Sequence, residues 1–88
     1  MISQVTEDFW KCFSRLPETI KAQARKSYRL WIANPSHPGL HFKRIHASEA
    51  LYSVRVAKGW RALGLLDKDA MTWFWIGSHG DYEKIIRR

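Results

Sequence analysis

The stretch Asn34-Pro35-Ser36-His37-Pro38-Gly39 divides this chain into halves that cannot share one kind of secondary structure. Two prolines and a glycine within six residues stop a helix and carry no apolar repeat. Before this break, apolar residues recur at the three-and-four spacing of a helix face. Thr6 can cap a first helix in which Phe9, Cys12, Phe13 and Leu16 share a face, with Glu7 and Asp8 favourable in its first turn. Pro17 stops that helix and, with Glu18, starts another. In the second helix Ile20, Ala24, Ser27, Tyr28 and Trp31 line one face, while Lys21, Arg25, Lys26 and Arg29 occupy the opposite one.

Beyond the break the repeat shortens to that of strands. Leu40 and Phe42 alternate with His41 and Lys43, and Tyr52, Val54 and Val56 alternate with Leu51, Ser53 and Arg55, the pattern of half-buried strands. Lys58-Gly59 is a tight turn into a strand over 60–66, and Asp67-Lys68-Asp69 is a turn into a last strand over 71–77. Asp81 is read as the cap of a short final helix holding Tyr82, Ile85 and Ile86, with Arg87 and Arg88 at its cation-friendly end. Helices followed by strands, without regular alternation, predict an α+β fold. The expected form is an N-terminal helical hairpin packed on an antiparallel four-stranded sheet, with a short C-terminal helix and one sheet face left partly open. Residues 1–88 are expected to form one domain, since cores are built from roughly 100 residues each.

Fifteen Lys and Arg against eight Asp and Glu give a net charge of +7, enough to draw the domain to polyanions by counterion release. Charge alone does not separate RNA, DNA and an acidic protein. Cys12 is the only cysteine, which excludes an internal disulfide and a cysteine-based zinc site. His37, His41 and His46 have no recognised ligand spacing, so neither a metal nor another cofactor is expected. The N-terminus has no basic region followed by an apolar run, and no segment approaches the roughly 20 apolar residues that span a bilayer. The expectation is a soluble, cytoplasmic protein without membrane contact.

Cleaving RNA beside a 2′-hydroxyl requires a base, cations for the phosphorane charge and an acid for the departing 5′-oxygen. Arg55 and Arg61 flank the Lys58-Gly59 hairpin, His79 follows the last strand, and Tyr82 lies three residues further on. A strict two-residue loop would place Arg61 with Val54 and Val56. A three-residue loop with Gly59 in a left-handed bulge would bring Arg55 and Arg61 to one face. The second arrangement is expected, because an arginine beside two core valines is costly to bury. Lys43, Arg44, Lys58, Arg87 and Arg88 are candidate phosphate contacts, or ordinary solvated charges. The aromatic run Trp73-Phe74-Trp75 reads as core and sheet surface rather than a base-stacking platform.

These residues, in this order, resemble the RelE/ParE superfamily of bacterial toxin–antitoxin modules. The resemblance rests on the helical pair with Leu16-Pro17, the Asn34-Pro35 stop and the strand Tyr52-Ser53-Val54-Arg55-Val56. It continues through Gly59-Trp60-Arg61-Ala62-Leu63-Gly64 and the closing Trp75-Ile76-Gly77-Ser78-His79-Gly80-Asp81-Tyr82. It implies a small toxin neutralised by a cognate antitoxin with an acidic or amphipathic segment. RelE-like members cut mRNA on the ribosome by 2′-hydroxyl attack, whereas ParE-like members inhibit DNA gyrase; a toxin fold that only binds a partner is a further possibility. Carried over by position, Arg61 corresponds to the arginine that stabilises the scissile phosphate, His79 to the acid or cation after the last strand, and Tyr82 to an aromatic residue near the C-terminus. Arg55 would be a second phosphate or ribosome contact. Leu51-Tyr52-Ser53-Val54 lacks the lysines or glutamate that certain RelE-type nucleases carry there, which leaves the general base unassigned.

Overall fold

In the computed structural model, which describes residues 2–46 and 48–87, two helices cover one face of a five-stranded sheet and a third follows the last strand. Thr6 caps α1 (Glu7–Ser14), its hydroxyl oxygen accepting from the Phe9 amide at 3.1 Å. Pro17 opens α2 (Glu18–Ala33), whose Ala24 and Trp31 are buried, so the face that the spacing picks out is the one that packs. Tyr28 departs from it: the ring is exposed and its hydroxyl donates to Ser3 Oγ at 2.8 Å. Arg25 lies 5.3 Å from the Phe13 ring, a cation–π contact that clasps α2 to α1.

The sheet order is β1 (Ile2–Val5), β5 (Ala70–Ser78), β4 (Trp60–Asp67), β3 (Leu51–Ala57), β2 (Lys43–Arg44). This corrects the expected four-stranded antiparallel sheet in two places. First, β1 adds a fifth strand parallel to β5, in register from Ile2 opposite Ala70 to Val5 opposite Trp73. Second, the strand expected over Leu40–Lys43 is mostly absent. Pro38–Leu40 winds into a 3₁₀ turn, with His37 Nδ1 accepting from the Gly39 amide at 3.1 Å, and only Lys43 and Arg44 join the sheet. Proline at the start of the turn sets φ for helical winding, and burial of Leu40 holds the turn down.

The core lies between the helices and the face bearing Val54, Val56, Ala62, Met71, Trp73 and Ile76, joined by Leu16, Ala24, Trp31 and Leu40. Trp31 meets Trp73 nearly edge to face, with ring centroids 5.2 Å apart. Gly64 makes this packing possible, since a Cβ there would stand 2.7 Å from Trp73 Cε3.

Two bulges decide which side chains reach the opposite face. Arg55 pairs with Arg61 and Ala57 with Trp60, so Val56 is an extra residue in β3; its carbonyl accepts from Ser27 Oγ at 2.7 Å. The loop is therefore the two residues Lys58-Gly59, with Gly59 at φ 80° as only glycine tolerates well, and the extra residue is Val56 instead of Gly59. In β5, Leu63 pairs with Trp75 and Gly64 with Trp73, which makes Phe74 the extra residue. Trp73 consequently enters the core while Trp75, two positions on, turns to the other face.

Candidate nucleic-acid interface

On the face away from α1 and α2, strand register lays out two rows. Arg55, Arg61 and Gly77 form one, and Lys43, Ser53, Leu63 and Trp75 the next. Directly opposed residues on neighbouring strands have Cβ atoms about 5 Å apart, so Arg55 and Arg61 set two like charges side by side, a destabilising arrangement by itself. Neither makes an ion pair among the described residues, where the pairs are Lys21–Glu18, His79–Glu83 and Arg87–Glu83. Two adjacent guanidinium groups without a carboxylate are suited to an anion such as phosphate.

Arg61 is fixed from two sides. Its Nη1 donates to Ser53 Oγ at 3.1 Å, and its guanidinium carbon lies 5.3 Å from the centroid of the Tyr82 ring. Ser53 is fully buried beneath it. Tyr82 is only 4% exposed, which makes its ring part of the wall of the site. Gly77 completes the row. A Cβ there would lie 2.6 Å from Trp75 Cζ2, so the glycine lets the Trp75 indole lie along the sheet next to Arg61.

The last helix, α3 (His79–Ile86), begins earlier than the sequence suggests. Ser78 is its cap, with Oγ accepting from the Asp81 amide at 3.2 Å, and Asp81 sits in the first turn where the helix dipole favours it. His79 is thus the first residue of a helix and not part of a loop. Its backbone amide donates to the Gly59 carbonyl at 2.8 Å, tying the start of α3 to the β3–β4 hairpin beside the two arginines. The His79 ring is half-exposed and 5.6 Å from the Tyr82 ring, so Tyr82 touches both Arg61 and His79. Glu83, one turn on, places Oε1 3.0 Å from His79 Nε2.

The structure thus brings Arg55, Arg61, Tyr82 and His79 to one end of one face, with Lys43 on the same face one row away. Arg44 is elsewhere. It pairs with Tyr52 and so points to the helix side, and its Nε donates to the carbonyls of His46 and Glu49, both at 3.1 Å, holding the following loop. Lys58 is exposed at the tip of the hairpin, and Arg87 at the end of α3 lies 3.7 Å from Glu83 Oε2. Arg88 lies outside the described residues. Sequence reasoning did not single out Ser53 or Glu83, and it read Trp75 only as part of the aromatic run of core and sheet surface. The four-residue interval from His79 was the available signal for Glu83, hidden by the late start assigned to the helix. His46 Nδ1 accepts from the Ser48 and Glu49 amides in its own loop, and among the described residues no group of three metal-ligating side chains assembles. Nor is any described helix long and apolar enough to cross a membrane.

A concavity lies on the opposite side. Between α1, α2 and the sheet, a cleft of about 450 Å³ is lined by Phe9, Trp10, Phe13, Tyr28, Trp31 and Trp73, with Arg25 and Arg29 among its lining.

The architecture is similar to that of solved toxin structures. A chain of the RelB–RelE antitoxin–toxin complex from Methanococcus jannaschii superposes with a TM-score of 0.75 at 13% identity, over 93% of this chain and 96% of that one. YafQ from Escherichia coli gives 0.73 at 14% identity, over 91% and 94% of the two chains. The isolated E. coli RelE toxin gives 0.67 at 15% identity, over 99% and 96%. Such identities establish the fold. The comparison with curated proteins finds no match. Residues 18–84 match the family model described as the ParE-like toxin domain, and with the fold shared with RelE and YafQ this places the chain in the RelE/ParE superfamily of toxin–antitoxin toxins.

Proposed function

We propose that this toxin is a metal-independent endoribonuclease that cuts mRNA on the ribosome and so inhibits translation. The observation that carries the reading is the direct pairing of Arg55 with Arg61, together with the Tyr82 ring that Arg61 and His79 share. In this reading Arg61 and Arg55 bind the scissile phosphate and stabilise the charge that builds on it. His79 moves a proton, Tyr82 holds both groups in place, and Lys43 and Lys58 extend the cationic track along the message. Arg44 falls out of the track because of the face it occupies. The chemistry needs no cofactor, since guanidinium groups supply the positive charge.

The partners follow from the same reading: the ribosome with its message in the cytoplasm, and a cognate antitoxin. Several of the similar solved structures are themselves antitoxin–toxin complexes, which supports the latter. The aromatic cleft between α1 and α2, with Arg25 and Arg29 in its lining, suits an amphipathic antitoxin segment that carries acidic residues. The ParE-like description of the matching family supports a second reading, inhibition of DNA gyrase by docking alone.

The two readings separate on His79→Ala and Arg61→Ala, each expressed in a growth-inhibition assay. The nuclease reading expects both variants to lose toxicity while still folding and binding antitoxin. Full toxicity in both would leave gyrase inhibition as the account.

A further inference from the structure

Sequence left this site without an assigned carboxylate. The fold supplies one. Because α3 starts at His79, Glu83 lies one turn later on the same face, and its Oε1 stands 3.0 Å from His79 Nε2. Its other oxygen faces Arg87 Nε at 3.7 Å, so both ends of the carboxylate are engaged. The imidazole is held on a second side by the Tyr82 ring. His79 Nδ1 makes no hydrogen bond among the described residues.

From this arrangement we infer that Glu83 is the positioning residue of His79: it takes the Nε2 side of the ring and leaves Nδ1 as the nitrogen that exchanges a proton with RNA. The inference rests on the nuclease reading above and deepens it. An imidazole carries its proton on either nitrogen, and an acceptor fixed at one nitrogen selects the tautomer and the ring orientation. With Glu83 Oε1 beside Nε2, a neutral His79 protonated on that side offers a lone pair at Nδ1, and a charged His79 offers an Nδ1 proton. Cleavage releases the 2′-hydroxyl proton to solvent water, forms the bond from the 2′-oxygen to phosphorus and breaks the bond from phosphorus to the 5′-oxygen, giving a cyclic phosphate and a 5′-hydroxyl. A charged His79 gives the Nδ1 proton to the departing 5′-oxygen and is left as the neutral Nε2–H form that Glu83 favours. Glu83 touches neither the phosphate nor the sugar in this scheme.

The test reads the ring itself as well as the reaction. In ¹⁵N-labelled full-length toxin, ring nitrogen chemical shifts should identify neutral His79 as the Nε2–H tautomer. Glu83→Ala should return it to a mixture, and Glu83→Gln, which keeps an acceptor oxygen, should restore the Nε2–H form. Message cleavage by translating ribosomes should fall about 10- to 100-fold in Glu83→Ala and recover for the most part in Glu83→Gln. An unchanged tautomer in Glu83→Ala would overturn the inference. So would undiminished cleavage in Glu83→Ala alongside an inactive His79→Ala. If no form of the protein cleaves message while the tautomer responds to Glu83, the nuclease reading fails and the ring pairing stands.

Discussion

At the scale of single residues, the site depends on how little freedom Arg61 retains. Ser53 takes one of its donors from below and Tyr82 covers its face, so the guanidinium fork is oriented before any ligand arrives. A lysine could keep the charge and would lose both the fork and the stacking. Arg61→Lys is therefore expected to cut message cleavage by about 10²-fold or more, the range for removing one oriented transition-state donor. Its melting temperature should stay within a few degrees of the parent, and cleavage rates with thermal unfolding check the two halves of the statement. Gly64 makes the opposite kind of demand. With Trp73 Cε3 2.7 Å from where a Cβ would stand, Gly64→Ala should destabilise the fold by about 1–3 kcal/mol in urea titration, the usual cost of overpacking a core. The alternation of Ser53, Val54, Arg55 and Val56 made the outward turn of Arg55 legible in the sequence. Ser53 as a support for Arg61 was not, because one hydroxyl among strand residues carries no pattern of its own.

At the scale of elements, α3 shows how one misplaced boundary hides a contact. Both Ser78 and Asp81 are good caps by composition, and the choice between them depends on where β5 ends, which the pairing of Ser78 with Trp60 decides. Ser78→Ala should cost about 1 kcal/mol and raise amide exchange mainly within α3, and with it loosen His79. The strand β1 was illegible for another reason. Four residues with no marked alternation gain their place only from β5, whose partner positions stand nearly 70 residues away in the chain. The helical hairpin, set by local spacing and by Pro17, was readable apart from Tyr28, which is exposed, and Arg25, which packs on Phe13 instead of facing away from α1. Its cleft leads to a prediction at the same scale. Reversing charge with Arg25→Glu and Arg29→Glu together should weaken binding of the cognate antitoxin at least tenfold by calorimetry, with α-helical content unchanged.

For the whole molecule, the sheet works as a partition. One face is closed by α1 and α2 over the aromatic core, and the other gathers Lys43, Arg55 and Arg61 in two adjacent rows, closed at one end by α3. The net charge of +7 is in part deployed there and not spread as a solvated shell. If three cations each neutralise one phosphate of single-stranded RNA, log affinity should fall with log salt at a slope of about −2, and Arg55→Ala should reduce that slope by about 0.7. Composition announced the charge, and strand register alone could tell which face would hold it. Mapping of transcript ends after toxin induction is the most direct measurement of the central claim, that Arg55, Arg61, Tyr82 and His79 form one RNA-cleaving site. The account predicts new ends at codon positions within translated messages, absent in cells expressing Arg61→Ala. Growth arrest with no new ends, equally strong in the variant, would contradict it.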